Sequence, residues 1–311
     1  MQKELSYTIE EIAQLLKVSK LTIYDLVKKG ELPVFRVGRQ IRVGADDLDQ
    51  YIQLQKTAPS QKIKAPAHVE TTVPEFPSES IIISGQDIVL DLLGKHIEEI
   101  SGLKTLRSYA GSLNSLLSMY QGKGDIVSLH LYDGDTGEYN LPYVKKILGS
   151  FPYIVINLLS RKAGFYVQKG NPKQLTDWKD LKQKQITLVN REIGSGARIL
   201  LDEKLRIHQI PAKSIHGYSR IESSHISVAS AVATGTADVG VGIEKAAKMV
   251  EVDFIPLTIE RYDLVILKTP ENARLIQAVK ESLASAALQS EIHSLGDYDV
   301  SQMGKVLYET L

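Results

Sequence analysis

Residues 184–202, KQITLVNREIGSGARILLD, run from an apolar strand-like stretch through Gly194, Ser195 and Gly196 into an amphipathic helix. A loop of this kind at a helix entrance turns free backbone N–H groups and a hydroxyl toward one point, a ready site for an anion. The grammar recurs at Ser84-Gly85, after Ile81-Ile82-Ile83, and at Gly111-Ser112, before the helical run Leu113 to Tyr120. Three such entrances predict a small ligand held by converging helix N-termini, with Ser84, Ser112 and Ser195 as neutral hydroxyl contacts. Arg191 and Arg198 flank the glycine-serine-glycine loop and offer charge to a phosphate-like, sulfate-like or carboxylate group. Arg198 is equally placed to pair with Asp202 one turn further on. His130 and His225 stand at strand-to-helix junctions, where an imidazole donates to an oxyanion or is satisfied by its neighbours.

Other chemistries find less support. Asp133 and Asp135, in YDGDTGEYN, lack the remaining ligands of a calcium loop, so no metal is expected. The chain has no cysteine, which excludes disulfides, thiolate metal sites and a cysteine nucleophile, and fits a reducing cytosol. Ser195, His225 and an aspartate make a triad only on paper, because Gly194-Ser195-Gly196 lacks the intervening residues of a nucleophile elbow. The expectation is a protein that is not an enzyme and carries no cofactor.

The elements that must position these residues fall on either side of a break. Four of the eleven prolines (Pro59, Pro66, Pro74 and Pro77) fall in a stretch without periodicity, which predicts a linker over 57–79 that reaches about 60 Å when extended. The 311 residues, 43% of them hydrophobic, supply core for domains on both sides. After the linker strands and helices alternate: strand 81–84, helix 88–100, strand 104–108, helix 112–121, strand 125–129. Beyond Pro152 come strands 153–159 and 164–168, a helix-prone stretch at 178–181, strand 186–190, helix 196–205, a strand around 214–221, helix 225–234, strand 238–241 and helix 244–250. Strands at 254–256 and 263–267 and a long helix over 273–288 close the chain. This alternation predicts an α/β domain with a largely parallel sheet.

Before the linker, Thr8 caps an amphipathic helix with Ile9, Ile12, Ala13, Leu15 and Leu16 on its apolar face. Ser19 caps a second helix over 20–29. A basic hairpin turns at Gly38-Arg39, and a last helix begins at Asp46-Asp47. Lysine and arginine balance aspartate and glutamate at 37 each over the whole chain. Between Lys17 and Gly44, however, seven basic residues face only Asp25 and Glu31. Helix, turn, helix and basic hairpin form a small winged helix-turn-helix, with basic groups on the second helix and wing for base edges and phosphates. The run YTIEEIAQLLKVSKLTIYDLVKKGELPVFRVGRQIRVGADDLDQYI resembles the excisionase-type DNA-binding domain related to the MerR class. The resemblance implies double-stranded DNA as partner, contacts from Lys20, Thr22, Tyr24 and Lys28 on the recognition helix, and from Arg36, Arg39 and Arg42 on the wing. Tyr24 also suits the core.

Residues 80–311 resemble the type 2 periplasmic-binding-protein fold, in the cytosolic branch fused to helix-turn-helix domains and related to molybdate-binding proteins. The motifs are AGSLNSLLSMYQGKGDIVSLHLYD, EYNLPYV, VNREIGSGARILLD, SHISVASAVATGTADVGVGI and DFIPLTIERYDLVI. The resemblance implies lobe 1 at 80–160 and 261–311, lobe 2 at 161–260, and a ligand between them. It aligns Ser84 and Ser112 with two first-lobe serines, the 191–196 loop (Arg191, Gly194, Ser195, Gly196) with a main-chain donor loop, and His225 with another donor. Ile243 departs from a tyrosine of that pattern. The chain is thus expected to be a cytoplasmic, ligand-responsive transcriptional regulator with a DNA-binding domain over 1–56, no membrane partner, and molybdate or tungstate as ligand. A small organic acid or amino acid is the alternative ligand, and homo-oligomers are left open.

Overall fold

The computed structural model describes residues 6–15, 20, 23, 26, 27, 32–37, 40–45, 47, 48, 51 and 80–310 except 184. The expected linker, 57–79, lies outside them. Contacts divide the chain into two units, Met1–Val73 and Pro74–Leu311.

In the first unit β1 (Ser6–Thr8) leads directly into α1 (Ile9–Leu15), and the hairpin is β2 (Phe35–Val37) with β3 (Gln40–Gly44). Glu11 accepts from the Thr8 N–H at 2.7 Å while its own N–H donates to Thr8 Oγ1 at 3.3 Å, the reciprocal cap the sequence implies. The hairpin pairs Val37 with Gln40. β1 adds a third strand on the far side of β3, which the sequence reading did not foresee. Ile9, Ile12, Ala13, Ile23, Leu32, Val43 and Leu48 form the core. Leu15, expected on the apolar face, is exposed at the end of α1.

The second unit contains one curled sheet in the order β5-β4-β6-β11-β7-β10-β8-β9. Its first half is β4 (Ser80–Ser84), α2 (Val89–Ser101), β5 (Lys104–Ser108), α3 (Ser112–Tyr120), β6 (Ile126–Leu129) and α4 (Leu141–Ile147). The long strand β7 (Tyr153–Val167) then crosses to the second half. There lie β8 (Leu188–Arg191), α5 (Gly196–Ile207), β9 (Ile221–Glu222), α6 (His225–Ala233), β10 (Val239–Ile243) and α7 (Glu244–Val250). A second long strand, β11 (Asp253–Leu267), returns antiparallel to β7, and α8 (Ala273–Ala284), α9 (Ala286–Ser294), β12 (Tyr298–Asp299) and β13 (Val306–Glu309) finish the first half. Separate apolar clusters fill both faces of each half, so the sheet is sandwiched between helices throughout.

Several elements differ from the sequence reading. The stretches 153–159 and 164–168 are one strand, as are 254–256 and 263–267, because Arg161 and Glu260 are buried as partners in the continuous ladder rather than looped out. β4 with β5 and β6, and β8 with β9 and β10, run parallel, but the spine of the sheet is antiparallel. The expected strand over 214–221 reduces to a bridge from Thr187 to His216 and the short β9. The expected helix over 273–288 breaks at Ser285, whose backbone is extended. α4, β12 and β13 were not anticipated.

Crossing from one half to the other demands a close approach of the two long strands. Gly164 faces Pro256 beside the register shift between Pro256 and Thr258. A Cβ at Gly164 would stand 2.0 Å from the Ile255 carbonyl oxygen, which is backbone and cannot swing aside. Gly164→Ala is expected to lower stability by about 1–3 kcal/mol through this overpacking, checked by urea unfolding of the full chain. An unchanged midpoint would refute that account of the crossing.

Candidate functional site

Between the halves lies a cavity of about 830 Å³. On one side it meets the entrances of α2 (Asp87, Ile88) and α3 (Ala110, Gly111, Asn114), and on the other the entrance of α6 (Ser224, His225, Ile226) and the wall of α7 (Ala246, Met249). Strand-to-helix turns put these helix starts at the C-terminal ends of parallel strands, the usual place for a ligand in such sheets.

The floor is charged. Arg161 of β7 and Glu260 of β11 are cross-strand partners, both almost wholly buried. Arg161 Nε donates to Glu260 Oε1 at 2.5 Å, its Nη1 pairs with Asp87, and its guanidinium carbon lies 4.6 Å from the centre of the Tyr262 ring. Tyr298 Oη donates to Asp87 at 3.0 Å, and Glu260 Oε2 meets His130 Nδ1 at 3.2 Å. Burial pushes the Glu260 carboxyl up, but the Arg161 guanidinium and His130 outweigh burial and hold it well below the usual carboxylate range. Burial also pushes the Tyr262 hydroxyl up to about 12, so it stays neutral while bonded to Ser128 Oγ at 2.7 Å.

Of the sequence-derived ligand residues, His130 and His225 line the cavity. His225 Nδ1 is shut off from solvent and has no protein partner among the described residues. Burial first, then the Arg191 and Arg161 charges, drive this imidazole well below its ordinary range, and it is neutral. The serines are not on the cavity wall, and their hydroxyls are engaged within the protein. Ser84 Oγ bonds Ser115 Oγ at 2.8 Å, Ser112 Oγ accepts from the His130 N–H at 3.3 Å, and Ser195 Oγ caps α5 by accepting from Arg198 N at 3.3 Å.

The glycine-serine-glycine loop closes against the opposite half. The Gly194 carbonyl accepts from Leu113 N at 2.9 Å, at the entrance of α3. Gly196 leaves room for the His130 ring, which a Cβ there would meet at 2.4 Å. Arg191 is fully buried and bonds Gln86 Oε1 at 2.6 Å and Glu192 at 2.8 Å, while Gln86 Nε2 donates to Glu192 at 3.0 Å. Arg198 pairs with Asp202 at 3.2 Å and stacks on Tyr218, the alternative its spacing allowed. Arg191, Ser195 and Arg198 therefore frame the loop that abuts the site. At Ile243, where a tyrosine was expected, the hydroxyl of Tyr166 bonds the Ile243 N–H at 2.7 Å and its carbonyl at 3.1 Å. Asp133 takes the N–H and hydroxyl of Thr136, and Asp135 pairs with Arg206, so this loop is an aspartate-capped turn.

Sequence reasoning missed Asp87, Arg161 and Glu260. Arg161 and Glu260 carried a signal, charged residues set between the apolar runs of LLSRKAGFYV and TIERYDLVI.

In the first unit Lys20 is exposed and pairs with Glu10, and Arg42 on β3 donates to Ser6 Oγ at 3.3 Å. Arg36 lies on β2 opposite Ile41. Thr22, Tyr24, Lys28 and Arg39 lie outside the described residues. Among the described residues no helix is long and apolar enough to cross a membrane.

Comparison with known proteins fits this architecture. Residues 94–284 match the PBP superfamily domain and residues 6–55 a helix-turn-helix domain. The uncharacterized protein YvgK of Bacillus subtilis (strain 168) is 51% identical over 311 residues, the full length of both chains. A substrate-binding protein with bound phosphate from Clostridium perfringens shares the fold at TM-score 0.51 and 15% identity, over 71% of this chain and 99% of its own. The ancestral amino acid-binding protein AncCDT-1 does so at TM-score 0.50 and 14% identity, over 70% and 95%. The chain belongs to the PBP superfamily and carries a helix-turn-helix domain before that domain.

Removing one member of a buried pair strands the other. Glu260→Ala is expected to cost about 3–5 kcal/mol at pH 7, measured by urea unfolding. Because the folded-state carboxyl is depressed, its contribution is complete above the ordinary value of 4.5 and is lost as pH falls below it. The gap between wild type and variant should therefore narrow in acid, and a gap independent of pH would refute the ionised pair.

Proposed function

We propose that this member of the PBP superfamily is a DNA-binding regulator whose response depends on a small organic anion in the interlobe cavity. The observation that carries the reading is one chain joining a helix-turn-helix domain to a cleft where three helix entrances meet an apolar wall. Helix N-termini favour a negatively charged group without requiring a full positive charge beside it. Ile88, Ile226, Met249 and Leu295 suit the apolar body of the same ligand. His130, His225 and Asn114 are the proposed polar contacts. Arg191, Ser195 and Arg198 are proposed to hold the loop that closes over it.

Size separates the two ligand classes. Pockets of about 300–1,000 Å³ suit organic ligands with an apolar body. A bare tetrahedral anion would leave most of 830 Å³ and its apolar wall to water. Molybdate or tungstate is the second reading, favoured by the likeness of the serine and glycine loops to molybdate binders, with Ser84, Ser112, Ser195, Gly194 and Gly196 as its contacts. That reading requires the engaged serine hydroxyls to exchange partners.

A thermal-shift screen of the full chain against small aliphatic carboxylates, amino acids, phosphate, sulfate, molybdate and tungstate tests the choice. A ligand at 100 times its Kd stabilises by about 2.7 kcal/mol, a readily measured shift. Carboxylates should stabilise and also change affinity for DNA, with DNA changing ligand affinity by the same factor. Stabilisation by molybdate and tungstate alone would replace the first reading with the second.

DNA binding has its own test. Affinity for duplex DNA should fall steeply with salt, and Lys28→Ala or Arg39→Ala should weaken binding across sequences and reduce the salt slope by about 1 each. Salt-independent binding, or no binding near 50 mM salt, would refute the assignment.

A further inference from the structure

We infer that the apolar side chains at the mouth of this cavity select the ligand, and that the ligand is a monocarboxylate with an aliphatic chain long enough to touch both halves of the domain. The inference rests on the organic-anion reading above and names the class of anion. Ile88 before α2 and Tyr109 after β5 stand on one half, Ile226 on α6 and Met249 on α7 on the other, and all four line the cavity. They are nevertheless between 46% and 66% exposed, which puts them at its opening rather than in its depth. Large apolar side chains gathered around a concave opening are contact area not yet used by the fold.

The charged groups beneath them are already engaged. Asp87 takes Arg161, the Tyr298 hydroxyl and the Val89 N–H, Glu260 takes Arg161 and His130, and the Tyr262 hydroxyl is bonded to Ser128. Lys245, on the same wall, is tied to the Leu295 carbonyl. A second charged group on the ligand would therefore have to displace a pair already made, whereas an aliphatic chain displaces only water. The helix starts serve one charged end, and one is enough. At the mouth Tyr109 is held in place for contact. Arg107, fixed by Asp91 and by the Gly85 carbonyl at 2.9 Å, lies with its guanidinium carbon 5.0 Å from the centre of that ring. Met249, opposite in the second half, is unbranched and adapts to the shape of the chain it meets.

Chain length then sets affinity. Covering one methylene is worth about 0.8 kcal/mol, about fourfold in Kd, so lengthening butyrate to octanoate should tighten binding about two hundredfold where the mouth covers the whole addition. The added apolar burial should also make the heat capacity of binding more negative along the series. A chain that reaches from Ile88 to Met249 covers surface on both halves at once.

Calorimetry on the full chain with acetate, butyrate, hexanoate, octanoate and adipate provides the test. Affinity should climb from acetate to octanoate. Adipate, as long as hexanoate but charged at both ends, should bind about tenfold more weakly than hexanoate, because its second carboxylate meets the apolar mouth. Ile88→Ser on one half and Met249→Ser on the other should each cut the gain from butyrate to octanoate by about fivefold or more. Ile193→Ser, exposed on the neighbouring loop and outside the cavity lining, should leave the whole series unchanged. If either mouth variant does not fold, the heat capacity of wild-type binding reads the same burial. Equal affinities and equal heat capacities for acetate and octanoate overturn the selection by chain length and leave the anion reading standing. Adipate binding as tightly as hexanoate does the same. Failure of all five probes to bind overturns the two together.

Discussion

A single buried guanidinium fixes the geometry on which the rest of the ligand domain depends. Arg161 sits where β7 passes from one half of the sheet to the other, opposite Glu260 on the returning strand. Removing these charges from water is costly, and the cost is offset only because Glu260, Asp87 and the Tyr262 ring surround the guanidinium together. The arrangement recruits four separate parts of the chain: the turn before α2, the end of β6, and the two crossing strands. Tyr298 adds a fifth by donating to Asp87. The crossing and the cavity floor are the same atoms, so an altered charge in the cavity acts directly on the segment that joins the lobes.

The contacts above the floor have a different character. Leu113 N to Gly194 O, and the Gln86 amide against Arg191 and Glu192, span the two halves, as do Gly134 N to Glu203, Asp135 to Arg206, Tyr132 to Lys204 and Asp297 to Lys248. A hydrogen bond of this kind contributes about 0.5–1.5 kcal/mol net, far less than the clusters within each half. Each half is therefore filled by its own apolar clusters and the two meet at the rim through mostly polar contacts, while the charged floor remains common to both. This distribution suits a domain whose rim opens to admit a ligand.

Much of this was legible in the sequence. Thr8 and Glu11 announced the first helix, Gly38-Arg39 the hairpin, and the alternation after residue 80 the α/β unit, because caps, turns and periodicity are local properties. What escaped was decided by distant neighbours. The polar run Ser160-Arg161-Lys162 looks like a break between strands until Glu260, 99 positions away, pairs with Arg161 inside the continuous ladder. Ser84 and Ser112 stand at helix entrances as expected, yet whether a hydroxyl meets a ligand or Ser115 depends on the packing of α3 onto the sheet. Local spacing locates the entrance, whereas tertiary contacts determine which atoms face the cavity.

Around the cavity the serine hydroxyls and most charged groups are engaged within the scaffold rather than displayed. The described floor already holds two carboxylates against one guanidinium, and Arg191 is consumed by Glu192 and Gln86. A site that relied on fixed positive side chains would bind anions whether or not its rim had closed. Here the helix starts of α2 and α3 belong to one lobe and that of α6 to the other, with the imidazoles of His130 and His225 on the cavity wall. On the proposed reading, full attraction for an anion exists only when α2, α3 and α6 approach one another, and the energy that captures such a ligand is also the energy that draws the lobes together.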